Sequence, residues 1–123
     1  MADPESAVET YISLWKHPMP EAELRSAIDR CWAEDAIYTD PRIGPIVGRD
    51  GLAGLVMGFF QRNPDGTVAT GRFEHHHGRG RFAWALRRGD GTTLSEGVDF
   101  VDFAADGRIQ RITGFFGPAP QLV

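Results

Sequence analysis

The spacing of apolar residues changes once along this sequence of 123 residues, and that change constrains the fold more than any other feature. Up to about residue 62 the apolar positions recur every three or four residues, which is typical of amphipathic helices. From Thr67 onward the chain has long extended runs separated by short turns that contain glycine. These runs are residues 67–77, 80–88, 92–104 and 108–116. The sequence therefore predicts a single domain, residues 1–123, in which three helices precede an antiparallel sheet.

Residues that favour helix ends mark the three helices. Asp3 followed by Pro4 is an N-cap with proline at the first helical position, and the helix is expected to run to about Lys16. Asp50 is expected to cap the third helix, and Asn63-Pro64 to end it. The second helix is predicted from an apolar stripe made of Leu24, Ala27, Ile28 and Cys31.

The charge balance excludes some classes of partner. The chain has 13 basic and 17 acidic residues, a formal charge of -4, which argues against nucleic acid or an anionic membrane as the main partner. The N-terminal residues lack the pattern of a secretion signal, and no apolar run approaches the length that spans a membrane. We therefore expect a cytoplasmic protein whose partner is a small hydrophobic ligand.

The segment from Trp32 to Pro41 carries a helix into a strand and places a carboxylate, Asp40, at the end of that strand. Because strand side chains alternate between the two faces, Tyr38 and Asp40 share one face. If that face is the interior, Asp40 is a buried acid with a chemical role. The alternative is that Asp40 forms a turn before proline, with its side chain bonded to neighbouring backbone groups.

The late strands are aromatic on both faces, with Phe82 and Trp84 in one register and Phe100 and Phe115 among the other aromatic positions. One face of such a sheet must pack on the helices, and the other must be partly hidden. The sequence therefore predicts a homodimer formed through the outer face of the sheet.

The order of these elements resembles the nuclear transport factor two-like superfamily, in its SnoaL-like and ketosteroid isomerase-like branch. The resemblance is carried by Trp32 to Pro41, by Gly48-Arg49-Asp50-Gly51-Leu52 and by Gly97 to Phe116. It implies an α+β fold in which a cone-shaped, curved, mostly antiparallel sheet packs on three N-terminal helices around an apolar cavity. This fold hosts several unrelated activities, so it does not by itself give the function.

The same resemblance implies three catalytic residues. Asp40 corresponds to the general base of the steroid isomerases, Tyr11 to the tyrosine that stabilises the enolate oxygen, and Asp99 to the protonated aspartic acid that is the second donor. From the residues alone, Tyr11 lies on the apolar stripe of its helix and Asp99 lies among apolar neighbours. Burial disfavours the charged form of a carboxyl group, so Asp99 could remain protonated and donate a hydrogen bond.

The function that follows is a cofactor-independent isomerase or cyclase that abstracts a proton next to the carbonyl group of a hydrophobic compound. No cofactor and no metal are predicted. The residues expected to contact substrate are His75, His76, Tyr38, Trp15, Phe59, Trp84, Ile112 and Phe116.

The three consecutive histidines, residues 75–77, do not predict a metal site, because successive strand side chains point to opposite faces. A histidine that lines the cavity is the favoured interpretation. Either His75 and His77 face inward together, or His76 does so alone.

Two other functions remain open. An epoxide hydrolase-like activity would need Arg81 or Arg111 beside Asp40 or Asp99 in the cavity, although Asp99 could instead form a structural ion pair with one of these arginines. The other possibility is a non-catalytic ligand-binding protein, in which the polar groups of the cavity only satisfy one another. Complete hydrogen bonding of Asp40 to backbone groups, or separation of Asp40 from the ligand, would favour that function.

Overall fold

The computed structural model describes residues 3–122, and within them the chain forms three helices and one seven-stranded sheet. The helices are α1 (Pro4–Ser13), α2 (Glu21–Cys31) and α3 (Gly48–Arg62). The strands are β1 (Trp32–Thr39), β2 (Ile46–Val47), β3 (Thr67–Thr70), β4 (Glu74–His76), β5 (Arg79–Arg87), β6 (Thr93–Phe103) and β7 (Ile109–Phe116). No helix among these residues is long and apolar enough to cross a membrane.

The sheet is curved and unclosed, with the strand order β2-β1-β7-β6-β5-β3 and with β4 also paired to β5. Every pairing is antiparallel except that of β1 with β7. The predicted α+β fold, a mostly antiparallel sheet against three N-terminal helices, is confirmed.

The start of α1 follows the sequence closely and the start of α3 does not. Asp3 accepts a hydrogen bond from the backbone N–H of Ser6 at 3.0 Å, as an N-cap does. The prediction that Asp50 caps α3 is wrong, because the helix begins at Gly48 and Val47 holds the capping position. Gly48 has a φ of 80°, which lets the chain turn directly from β2 into the helix.

The extended run 67–77 divides into β3 and β4, which pair with opposite ends of β5. The break lies at residues 71–73, where the Phe73 ring covers Gly80 so closely that a Cβ there would lie 2.7 Å from Phe73 Cζ. β4 is a three-residue edge strand beside residues 79–81, and its register with β5 differs by one residue from that of β3.

The core lies between the inner face of the sheet and the helices, and Trp32, Leu52 and Ile112 in it are fully buried. On the outer face, Phe100 and Phe115 remain 45% and 54% exposed. Their rings contact each other edge to face, with centroids 5.8 Å apart. The sheet therefore carries aromatic residues on both faces, as the sequence predicts.

Candidate functional site

A narrow cavity opens between α1 and the inner face of the sheet. It is lined by Tyr11, Ile12, Trp15, Tyr38, Val68, Thr70, Phe82, Trp84, Leu86 and Asp99. The centres of water molecules can occupy about 50 Å³ of it, and the whole empty space out to the open mouth is about 390 Å³. Since one water needs roughly 10 to 15 Å³ by the first measure, the cavity holds a few waters or a slim organic group.

Asp99 is the only carboxyl group among the described residues that line the cavity. It lies on β6 between Phe82 of β5 and Gly114 of β7, and only 6% of its surface is exposed. Its Oδ1 accepts a hydrogen bond from the Trp84 indole N–H at 2.9 Å, whereas Oδ2 has no hydrogen-bond partner within residues 3–122. The carboxyl group therefore presents one free oxygen.

The environment of Asp99 favours its neutral form. Burial raises the pKa of this carboxyl group from 3.8 to about 7; the hydrogen bond from Trp84 opposes the rise, and the charge of Asp40 adds to it. A carboxyl group with this pKa exists in both protonation states near neutral pH. It can therefore either accept or donate a proton.

Tyr11 places an unpaired hydroxyl group at the same cavity. The residue is 3% exposed and stacks on Trp32, and its hydroxyl group makes no hydrogen bond of ordinary geometry with any side chain of residues 3–122. Burial raises its pKa well above 10, the charges of Asp99 and Tyr38 raise it further, and the nearby indole N–H of Trp15 partly offsets the rise. Tyr11 consequently remains protonated and available as a donor.

Trp15 contributes a second unsatisfied donor. Its Nε1 is buried and has no hydrogen-bond partner in the described part of the chain. The ring lies edge to face with Tyr11, with centroids 6.3 Å apart. An unpaired buried N–H costs free energy, so an acceptor that reached this wall of the cavity would be stabilised there.

Asp40 is engaged differently from what the resemblance implies. Its Oδ1 accepts the backbone N–H groups of Arg42 at 2.8 Å and Ile43 at 3.0 Å, and its Oδ2 accepts the Tyr38 hydroxyl at 2.8 Å. Asp40 does not line the cavity, although Tyr38 does. Both oxygens are thus occupied, and the side chain forms the turn that the alternative interpretation of this segment expects.

The two acids nevertheless lie close to each other. A Cβ at Gly114 would be 3.0 Å from Asp99 Oδ1 and 3.3 Å from Asp40 Cβ. Glycine at this position is what allows both side chains to pack over β7. The charge of Asp40 is therefore near enough to influence the protonation of Asp99.

Three predicted substrate contacts, Trp15, Tyr38 and Trp84, line the cavity, and three others do not. Ile112 is fully buried in the core, and Phe59 packs edge to face against Trp15, with centroids 5.6 Å apart. Phe116 packs edge to face against Trp84 at 6.0 Å.

His75 and His76 do not face the cavity, which corrects the expectation that a histidine lines it. His75 pairs with Glu5 of α1 at 3.3 Å and stacks on Phe73, and Nδ1 of His76 lies 3.0 Å from Nδ1 of His77. β4 pairs with residues 79–81, away from the part of β5 that lines the cavity, and all three histidines are exposed. No group of three or more His, Cys, Asp or Glu residues in 3–122 is arranged to hold a metal ion.

The two arginines on which other interpretations depended lie outside the cavity. Arg81 is exposed and pairs with Glu74 at 3.2 Å, and Arg111 is exposed opposite Asp102 in the outward register. The proposed ion pair between Asp99 and an arginine is therefore wrong, because Asp99 points inward to Trp84. The acid and arginine arrangement of an epoxide hydrolase-like site is not formed.

The sequence did not predict that Leu86, Val68 and Thr70 line the cavity, and only Leu86 could have been identified from alternation along its strand. Leu86 shares the inward face of β5 with Phe82 and Trp84, which precede it by four and two residues. On β3, Val68 and Thr70 lie opposite Leu86 and Trp84. Alternation along β5 was visible in the sequence, whereas the pairing of β3 with β5 was not.

A family model described as a SnoaL-like domain matches residues 8–112. A candidate isomerase of the SnoaL-like family from Agrobacterium tumefaciens has a similar structure, with a TM-score of 0.82 and 27% identity over 94% of this chain and 97% of that one. No curated protein sequence matches the chain.

Two further solved structures share the fold at lower identity. A candidate ketosteroid isomerase from Kribbella flavida has a TM-score of 0.66 and 23% identity over 100% of this chain and 86% of that one. A candidate SnoaL-like polyketide cyclase from Jannaschia has a TM-score of 0.70 and 14% identity over 92% and 86%.

Proposed function

The chain belongs to the SnoaL-like domain family, and on that basis we propose that it is a cofactor-independent isomerase or cyclase that moves a proton next to the carbonyl group of a small hydrophobic compound. One observation carries this proposal: a buried carboxyl group with a free oxygen, that of Asp99, shares an aromatic cavity with the unpaired hydroxyl of Tyr11. Proton acceptor and enolate-stabilising donor are the two groups that such chemistry needs.

In the proposed reaction, Asp99 Oδ2 accepts the proton from the carbon beside the carbonyl group. The electron pair of the broken C–H bond forms a carbon–carbon double bond, and the carbonyl π electrons move onto oxygen. Asp99 then returns the proton to a different carbon, which completes an isomerisation. In a cyclisation, the enolate carbon instead attacks a second carbonyl group of the same molecule, and the resulting alkoxide receives the proton.

The pKa of about 7 suits Asp99 to this role, because a base works best when its pKa is near the working pH. The developing enolate oxygen would accept a hydrogen bond from Tyr11. The buried N–H of Trp15 is a second donor on the same wall. Donors that are unpaired before substrate binds need no rearrangement, which is where electrostatic stabilisation is most effective.

Asp40 has a positioning role in this proposal and is not the base. Its oxygens hold the Tyr38 hydroxyl and the turn after β1, and its charge raises the pKa of Asp99. The assignment implied by the resemblance is thereby changed on the basis of hydrogen bonding.

A second candidate function is a non-catalytic ligand-binding protein. It is favoured because Asp40 does not line the cavity and both of its oxygens accept hydrogen bonds, one from backbone N–H groups and one from the Tyr38 hydroxyl. It predicts that hydrophobic carbonyl compounds bind without chemical change. The narrow cavity suits slim or flat ligands in either case, and a polycyclic ligand would need the walls to move apart.

Hydrogen–deuterium exchange at the carbon next to a carbonyl group distinguishes the two functions. The protein would be incubated in D₂O with 2-indanone or 2-tetralone, and exchange followed by proton NMR. We expect the wild type to accelerate exchange, Asp99→Asn to abolish the acceleration, and Asp102→Asn, a matched change on the outer face of β6, to retain it. Binding without accelerated exchange would refute the catalytic proposal and support the ligand-binding function.

A further inference from the structure

Arg42 lies in the turn between β1 and β2 and has its guanidinium group over the ring of Phe116, 4.6 Å from the ring centroid. No carboxylate of residues 3–122 lies within 4.0 Å of that group, although Asp40 is only two residues away. By contrast, Arg79 and Arg81 on the outer face pair with Asp102 and Glu74 at 3.1 and 3.2 Å. Arg42 is therefore an exposed cation without an acidic partner among the described residues.

The position of Arg42 is fixed from two sides. Its backbone N–H donates to Asp40 Oδ1 at 2.8 Å, which orders the turn, and its side chain rests on an aromatic face. A guanidinium group on an aromatic ring is held by cation–π attraction while its N–H donors remain free at the edge. The hydrogen bonds of Asp40, which leave it unavailable as a base, therefore hold the turn that positions Arg42.

Two aromatic rings connect this guanidinium group to the cavity. Phe116 packs edge to face against Trp84, with centroids 6.0 Å apart, and Trp84 both lines the cavity and binds Asp99. Phe116 and Trp84 both lie opposite Gly97, where a Cβ would be only 2.8 Å from Trp84 Cζ2. The missing side chain at Gly97 therefore lets the two rings meet beside the cavity.

The charges inside the cavity determine what Arg42 could recognise. The ionisable side chains that line it are Tyr11, Tyr38 and Asp99, and no lysine, arginine or histidine of residues 3–122 does so. An anionic group of a ligand would be repelled by an ionised Asp99 at the cavity wall. The anionic group of the ligand would therefore bind outside the cavity, and the Arg42 guanidinium group is a cation available there.

We infer that Arg42 selects a substrate that carries a carboxylate: the apolar body and the reacting carbonyl group enter the cavity, and the carboxylate binds the guanidinium group beside Phe116. This inference rests on the proposed function for the reacting carbonyl group, and it adds the substrate class, a hydrophobic keto acid. The planar guanidinium fork matches a carboxylate and gives two parallel hydrogen bonds. Arg42 is accordingly a specificity-determining residue.

The test compares two probes that differ only in charge, 3-(4-hydroxyphenyl)propanoate and its primary amide. Their phenol group mimics the enolate end, and the propanoate reaches toward the mouth. Affinities would be measured by isothermal titration calorimetry for wild type, for Arg42→Gln and for Arg30→Gln, which removes an exposed charge from α2.

We expect wild type and Arg30→Gln to bind the carboxylate about five- to tenfold more tightly than the amide, and Arg42→Gln to lose that preference while it still binds the amide. A preference that survives in Arg42→Gln would overturn the inference. A wild type without preference, including one that binds neither probe, would overturn it too. Because the readout is a ratio of binding constants, it is independent of proton exchange, whose failure would refute the proposed function alone.

Discussion

Replacing Asp99 by asparagine tests directly whether its carboxyl group is neutral when buried. The folded protein retains this proton up to about pH 7, whereas an ordinary carboxyl group in the unfolded chain loses it near pH 3.8. Between these values the folded state binds more protons than the unfolded state, so the wild-type protein becomes less stable as the pH rises. Above pH 7 no further stability is lost through this group.

The size of the effect follows from the pKa shift. Each pKa unit corresponds to about 1.4 kcal/mol, so the full shift is worth at most roughly 4 kcal/mol, of which roughly 2 to 3 kcal/mol falls between pH 5 and pH 8. The asparagine side chain of the variant would have no proton to lose there, and its amide oxygen could still accept the hydrogen bond from Trp84. Relative to wild type, Asp99→Asn should therefore gain roughly 2 to 3 kcal/mol of stability from pH 5 to pH 8.

The measurement is the free energy of unfolding in urea, followed by tryptophan fluorescence at several pH values for each protein. Taking the difference between variant and wild type cancels the titration of histidines and other carboxyl groups. The control is Asp102→Asn, which removes a half-exposed carboxyl group paired with Arg79 and should leave the pH dependence nearly unchanged. Parallel curves for wild type and Asp99→Asn would show that the carboxyl group titrates normally, and the proposed base would then have no tuned pKa.

Two other substitutions test contacts of Asp99, and a third tests the predicted dimer. Trp84→Phe removes the hydrogen bond that lowers the pKa of Asp99, so its titration midpoint, measured by carboxyl ¹³C NMR, should rise above about 7; an unchanged or lower midpoint would contradict the assigned contact. Gly114→Ala places a methyl group 3.0 Å from a carboxyl oxygen, so urea unfolding should show a loss of about 1 to 3 kcal/mol, and no loss would mean that the two acids can move apart. For the proposed homodimer through the outer face, Phe115→Asp should sediment as a monomer and wild type as a dimer, whereas a monomeric wild type would refute the dimer.

The helices and strands of this fold were predictable because they depend on local periodicity. The residues at which the helices begin were harder to predict. Asp3 caps α1 as expected, since the residue next to it is a proline that is already suited to the first helical turn. Asp50 looked like a better cap than Val47, but the positive φ of Gly48 decided where α3 begins. Backbone conformation at a glycine cannot be derived from the preferences of its neighbours.

The site was predictable only where alternation along one strand was sufficient. Alternation places Asp99 on the same face of β6 as Val101, whereas the inward direction of that face is given by its pairing with Phe82 of β5. The exposed position of His75 depends instead on the pairing of β4 with residues 79–81, beyond the part of β5 that lines the cavity, and pairing between strands is not visible in the alternation of one strand. The hydrogen bonding of Asp40 likewise could not be predicted, because the backbone N–H groups that donate to its side chain come close only after the turn has formed.

The parallel pairing of β1 with β7 has a consequence for how the molecule assembles. Although β7 is the last strand in chain order, it lies in the middle of the sheet and joins β1 to β6. During synthesis, the edge of β1 that pairs with β7 therefore stays unpaired until some seventy further residues have been made. Unpaired strand edges can pair with other chains and so promote aggregation. Contacts of this sequence separation also form slowly, because loop closure must occur before they stabilise anything. The cavity therefore forms late in folding, when β7 pairs with β1.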